Sequence, residues 1–127
     1  LAEAKAIEDK AREIELERSR ILSIYETEAD IDRQRDNQLH SVQSNIDVHD
    51  SYLKSMETRI ARQEAKLIET KSKKKKKKIL EDIEISKANV IAYTEALAKL
   101  KVHKAEIVTK FEQEKELYRE LKGESGY

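Results

Sequence analysis

The feature that most constrains this chain is a heptad stripe between Leu39 and Leu67. Counting alternately by three and four gives Leu39, Val42, Ile46, His49, Leu53, Met56, Ile60, Gln63 and Leu67, and seven of these nine are large and apolar. A 3-4 alternation averages 3.5 residues per turn, so it keeps one narrow seam on one side of an α-helix. A seam of this kind cannot be buried by its own helix. It demands a partner helix, and the rest of the chain has to be read as the search for one.

The same frame runs backwards without interruption through Arg35, Asp32, Glu28, Tyr25, Ile21, Arg18, Ile14, Ala11 and Ile7. This predicts a single first helix over about residues 1–72, whose continuous stripe alone would span roughly 100 Å at 1.5 Å per residue. Glu28, Asp32 and Arg35 place three charges in succession in the seam. They read more readily as a hydrated layer that sets register than as a point where the helix bends or a partner inserts.

The stripe vanishes at Lys71, Ser72 and the run Lys73 to Lys78, and resumes in a new frame. That frame is Ile79, Ile83, Ser86, Val90, Tyr93, Leu97, Leu100, Lys104, Ile107, Phe111, Glu114, Tyr118 and Leu121. The shift is not one of the three- or four-residue insertions that a continuous coiled coil absorbs. It predicts a lysine-rich turn over about 73–78, a second helix over about 79–122 stopped by Gly123, and a frayed tail at 123–127.

Two helices on a short link pack antiparallel, so the expected fold is all-α, one antiparallel coiled-coil hairpin. Two registers keep the seams face to face. One sets Leu67 by Ile79, Leu53 by Tyr93 and Ile46 by Leu100, but brings Asp32 beside Glu114. The other, slipped by one heptad, sets Leu53 by Leu100, Ile46 by Ile107 and Val42 by Phe111, and puts His49 against Lys104. The slipped register pairs apolar with apolar more often and is preferred. In either, the first 25 or so residues overhang. A lone helix of that length is marginal in water, so Ile7, Ile14, Ile21 and Tyr25 predict a protein partner or a second copy.

Composition narrows the function. Charged residues are 41% and apolar residues 38% of 127, with net charge zero, no Pro, no Trp and no Cys. Such a balance reads as long helix or coiled coil. It offers no general attraction to nucleic acid or anionic membrane, no thiolate ligands and no Cys nucleophile. No apolar run is long enough to span a bilayer. The three histidines, His40, His49 and His103, form no metal-ligand spacing, and no Gly-rich phosphate loop occurs. The expectation is a non-enzymatic chain without cofactor, metal or small-molecule substrate.

The lysines Lys71, Lys73, Lys74, Lys75, Lys76, Lys77 and Lys78 make a basic tip. It reads first as a solvated turn whose charges complement the end of the first helix, next as a dock for an acidic protein surface, and last as a nucleic-acid patch. No aromatic is interleaved there for bases to stack on.

The final third carries Ala96-Leu97-Ala98-Lys99-Leu100-Lys101-x-x-Lys104, then Glu112-Gln113-Glu114-Lys115-Glu116-Leu117-Tyr118-Arg119-Glu120. With Ser23-Ile24-Tyr25 upstream, it resembles the FliJ/YscO family over most of the chain, although the lysine run departs from that pattern. The resemblance implies a cytoplasmic coiled-coil stalk of a type III secretion or flagellar export apparatus, linking a hexameric export ATPase to the export gate. It implies that Ile7, Ile14, Ile21, Tyr25, Tyr118 and Leu121 face the ATPase and that the basic tip faces the gate. Two other readings stand beside it. One is a self-associating scaffold or tether joined through the first helix. The other is a hairpin segment of a larger protein, in keeping with a start at Leu1 instead of Met.

Overall fold

The computed structural model describes residues 1–124. The fold is all-helical, with α1 at Ala2–Ile24, α2 at Glu28–Glu69 and α3 at Lys73–Glu124, and no strand among the described residues. The chain divides into two compact units. One is His40–Lys104; the other joins Leu1–Leu39 to the residues from Ala105 onward.

In the unit His40–Lys104, α2 and α3 pack together along their seams. Val42, Ile46 and Met56 of α2 are buried, as are Ile79, Ile83, Ser86 and Leu97 of α3. Leu53, Ile60, Leu67, Val90, Tyr93 and Leu100 are half-buried, because two helices cannot enclose a seam from every side. Lys87 lies 3.8 Å from Glu64. Tyr52 stacks on Tyr93 with ring centroids 3.9 Å apart. The Lys104 ammonium donates to the side-chain carbonyl of Gln43 at 2.6 Å.

These pairs correct the preferred register. Tyr52 with Tyr93 and Gln43 with Lys104 lie within one residue of the alignment that sets Leu53 by Tyr93, not of the one slipped by a heptad. The slipped alignment would have pressed His49 against Lys104. In the observed one, the His49 ring lies 5.3 Å from Tyr93, and the Lys104 ammonium is answered by a neutral acceptor. The cation beside a half-buried imidazole that the slipped alignment would bring is absent from this one.

In the other unit, three helical segments share a core that two could not enclose. Ile21 of α1 and Ile31 of α2 are fully buried, and Tyr25, Ile107, Phe111, Tyr118 and Leu121 are nearly so. The expected single first helix is therefore two. α1 ends at Ile24, where Tyr25 adopts an extended backbone with φ −109 and ψ 127 while its N–H still donates to the Ile21 carbonyl. α2 begins at Glu28 behind a reciprocal cap. The amide of Asp30 donates to Thr27 Oγ1 at 3.4 Å. Asp30 Oδ2 accepts from the amides of Thr27 and Glu26, each at 3.0 Å. This Thr-x-x-Asp arrangement satisfies donors that a helix start leaves without partners. It overrides the unbroken heptad count, and the three seam charges next to it mark a bend instead of a hydrated layer.

The lysine-rich turn is corrected as well. The non-helical link is Thr70–Ser72, and Lys73 to Lys78 form the opening turns of α3. Ser72 starts that helix: the Lys75 amide donates to its Oγ at 3.4 Å and the Lys76 amide to its carbonyl at 2.9 Å. Lysine is a good helix former, so a capping Ser in front of it suffices. At its other end α3 runs through Gly123 to Glu124, past the expected stop. Residues 125–127 of the expected tail lie outside the described residues.

The cap yields a direct test. Replacing Asp30 with Ala removes the acceptor of two backbone amides and should cost about 0.5–2 kcal/mol. Asp30→Asn should cost much less. Thermal melts of the two variants followed by circular dichroism measure the difference.

Candidate docking site along α1 and at its joint with α2

The joint is built around Glu114. This carboxylate is only 5% exposed, within the apolar layer of Phe111 and Tyr118 on α3. An unpaired charge in such a layer is costly. Two side chains of α1 and its cap answer it: the Arg20 guanidinium pairs with one oxygen, and the Tyr25 hydroxyl donates to the other at 2.9 Å. Arg20 also holds Glu17 at 2.6 Å, which lowers the Glu17 pKa, while the two carboxylates raise that of Arg20.

Further contacts fix the restart of the chain. The Tyr118 hydroxyl donates to the Glu26 carbonyl at 2.5 Å. Lys115 donates to both oxygens of Asp32, at 2.9 and 3.2 Å, and holds its carboxyl below the usual range. Arg119 pairs with Glu28, which raises the Arg119 pKa. The Asp32–Glu114 repulsion that counted against this register is thus removed, because each carboxylate has its own cation.

Comparison with protein-family models, with curated proteins and with solved structures returns no match. The functional reading therefore rests on where the candidate residues lie. Of the six residues proposed to face a partner, four are buried within the chain: Ile21, Tyr25, Tyr118 and Leu121. The expectation that the first 25 residues lack an intramolecular partner is corrected for the last two turns of α1, which Glu114, Phe111 and Tyr118 recruit. Two candidates stay outside. Ile7 is 71% and Ile14 53% exposed, and every residue from Leu1 to Glu17 is exposed. Ala4, Ile7, Ala11 and Ile14 share one face, in line with Ile21 and Tyr25.

The basic residues Lys71, Lys73, Lys74, Lys75, Lys76, Lys77 and Lys78 are all exposed. The lysines of the run crown the start of α3, where the helix dipole disfavours cations, and so do not complement the end of a preceding helix as expected. Lys78 has a helical partner in Asp82 at 3.5 Å. Two clefts flank the joint. One, of about 290 Å³, is lined by Ile24, Tyr25, Glu26, Asp30, Arg33 and Gln34. The other, of about 250 Å³, is lined by Glu17, Lys110, Gln113, Glu114 and Leu117. No helix among the described residues is long and apolar enough to cross a membrane, and no group of three or more His, Asp or Glu among them could hold a metal ion.

Sequence reasoning missed Ile31, which lies one residue off the heptad frame yet is fully buried in the unit where three helical segments share a core. It also missed the role of Glu114, seen only as a charge in the seam. The available signal was Thr27-x-x-Asp30, a helix-start pattern inside an otherwise unbroken stripe.

Two measurements follow from these placements. Burial, and then the Glu114 carboxylate, push the Tyr25 hydroxyl up from 10.0 to about 12. The folded state therefore favours the neutral phenol. Its contribution to stability is complete below about pH 10 and is lost as pH rises towards 12. Chemical denaturation across that range should show the loss, and Tyr25→Phe should remove its pH dependence. Separately, replacing Lys74 and Lys75 with Glu should stabilise the start of α3 by about 0.3–1 kcal/mol each at low salt, read as slower amide exchange in its first turns.

Proposed function

We propose that this chain is a non-enzymatic structural coiled-coil protein, a scaffold or tether that joins helices, with the exposed half of α1 as the joining element. The carrying observation is the contrast within α1. Its last turns are anchored by Ile21, Arg20 and Tyr25, while Ala4, Ile7, Ala11 and Ile14 continue the same stripe into solvent. An anchored helix with an open apolar stripe is arranged to receive another helix. In this reading α2 and α3 form an antiparallel coiled-coil hairpin. The order of their pairs supports it: Glu64 with Lys87, Tyr52 with Tyr93 and Gln43 with Lys104.

Sedimentation equilibrium over a wide concentration range tests the reading. The chain is expected to self-associate reversibly, and Ile7→Glu with Ile14→Glu to weaken association at least about tenfold, a loss of about 1.4 kcal/mol, with helical content unchanged. A monomer at every concentration, or an unaffected double variant, refutes it.

The export-stalk reading is the second proposal, favoured by the exposure of Ile7 and Ile14 and of the lysines at the start of α3. It places the chain in the cytoplasm, with α1 towards the ATPase ring and the lysines towards the gate. It requires the cluster around Glu114 to open before Ile21, Tyr25, Tyr118 and Leu121 can reach a partner. Binding to the purified export ATPase that survives alanine replacement of Ile7 and Ile14 would remove this proposal.

A further inference from the structure

The densest charge on this chain lies where folding gains nothing from it. From the last turn of α2 to the second turn of α3, residues 66–80 hold eight lysines against one carboxylate, Glu69. All nine are exposed. Glu81 and Asp82 then close the patch, and Lys78 with Asp82 is its one ion pair among the described residues. Lys73 to Lys78 set like charges three and four residues apart, where they repel, at the helix end whose dipole disfavours cations. Ser72 caps α3 without help from them. A layer of anions over the link would relieve both costs.

Apolar side chains protrude at the same place. Ile68, three residues before Lys71, is 85% exposed, more than any other large apolar residue described in the unit His40–Lys104. Leu80 is 51% exposed, and its neighbours on the preceding turn are Lys76 and Lys77. The lysines themselves follow one another at steps of about 100° and point all around α3. A protein surface meets one side of a helix, whereas a layer of lipid headgroups surrounds whatever is pressed into it. Nucleic-acid bases would find nothing to stack on, since no aromatic occurs between Tyr52 and Tyr93. Lipid can use both kinds of residue: an apolar side chain enters the acyl boundary, while the long lysine stem keeps its ammonium among the headgroups.

We propose that the link between α2 and α3 docks on an anionic lipid surface, with the lysine run among the charged headgroups and Ile68 and Leu80 at the acyl boundary. The whole chain has no net charge, so the attraction is local to this patch and fades within a Debye length. The contact is peripheral, since no helix among the described residues is long and apolar enough to cross a membrane. It does not depend on the self-association proposed above.

Co-sedimentation of the full chain with vesicles tests it. The chain is expected to bind vesicles of mixed phosphatidylcholine and phosphatidylserine, to ignore phosphatidylcholine alone, and to bind less as salt rises. Lys74→Gln with Lys77→Gln should weaken binding at least about tenfold. Lys99→Gln with Lys101→Gln removes the same charge from exposed positions further along α3 and should leave binding unchanged. Ile68→Gln with Leu80→Gln keeps every charge and should weaken binding about tenfold. All six positions are exposed, and circular dichroism checks that each variant keeps wild-type helical content.

No binding to the mixed vesicles, or equal binding to neutral ones, overturns the proposal. So does equal weakening by the two lysine pairs, which would make the contact a matter of overall charge. An unaffected Ile68 and Leu80 variant removes the reason for choosing lipid and overturns it too. Preference for a short DNA duplex or for polyglutamate over the mixed vesicles assigns the lysines to a different polyanion. Each of these failures leaves self-association through α1 standing.

Discussion

A single buried carboxylate decides how this molecule closes. Glu114 occupies a seam position on α3, between Phe111 and Tyr118 in the chain, where an apolar residue would be ordinary. Its desolvation has to be offset by partners of the right kind. Lys115 and Arg119 are its neighbours on α3, yet they turn to Asp32 and Glu28 on α2. The cation and the hydroxyl that answer it come from α1 and its C-cap. The chain must therefore turn back at Tyr25 to bring Arg20 and Tyr25 over Glu114, and this requirement places a joint in what is otherwise an unbroken heptad. A charge in a seam weakens a two-helix contact. Shared among three helical segments, the same charge selects one arrangement of them.

The joint is also the place where local and long-range preferences agree. Thr27 and Asp30 start a helix by themselves, through backbone amides that need acceptors. Tyr118 then fixes the Glu26 carbonyl from across the core. Neither glycine nor proline is involved. Tyr25 is extended backbone that any residue can adopt, so the bend is held by capping and by contacts, not by a special conformation.

Much of the fold was legible as periodicity, and what was not had a definite cause. The stripe from Leu39 to Leu67, its loss at the lysines and its return at Ile79 identify α2, α3 and the seam between them. Periodicity counts apolar residues and is blind to hydrogen bonds, so it passed over the Thr27–Asp30 cap and ran α1 into α2. It then placed Glu28 and Asp32 in the seam and missed Ile31, one residue out of phase, which is fully buried. The lysine run misled for a related reason. Seven like charges suggest a turn, but helix propensity and a serine cap act locally, and solvent screens exposed lysines. Of the residues expected to meet a partner, the two far from the joint, Ile7 and Ile14, are exposed. The four near it were drawn inward by Glu114, which no residue count reveals.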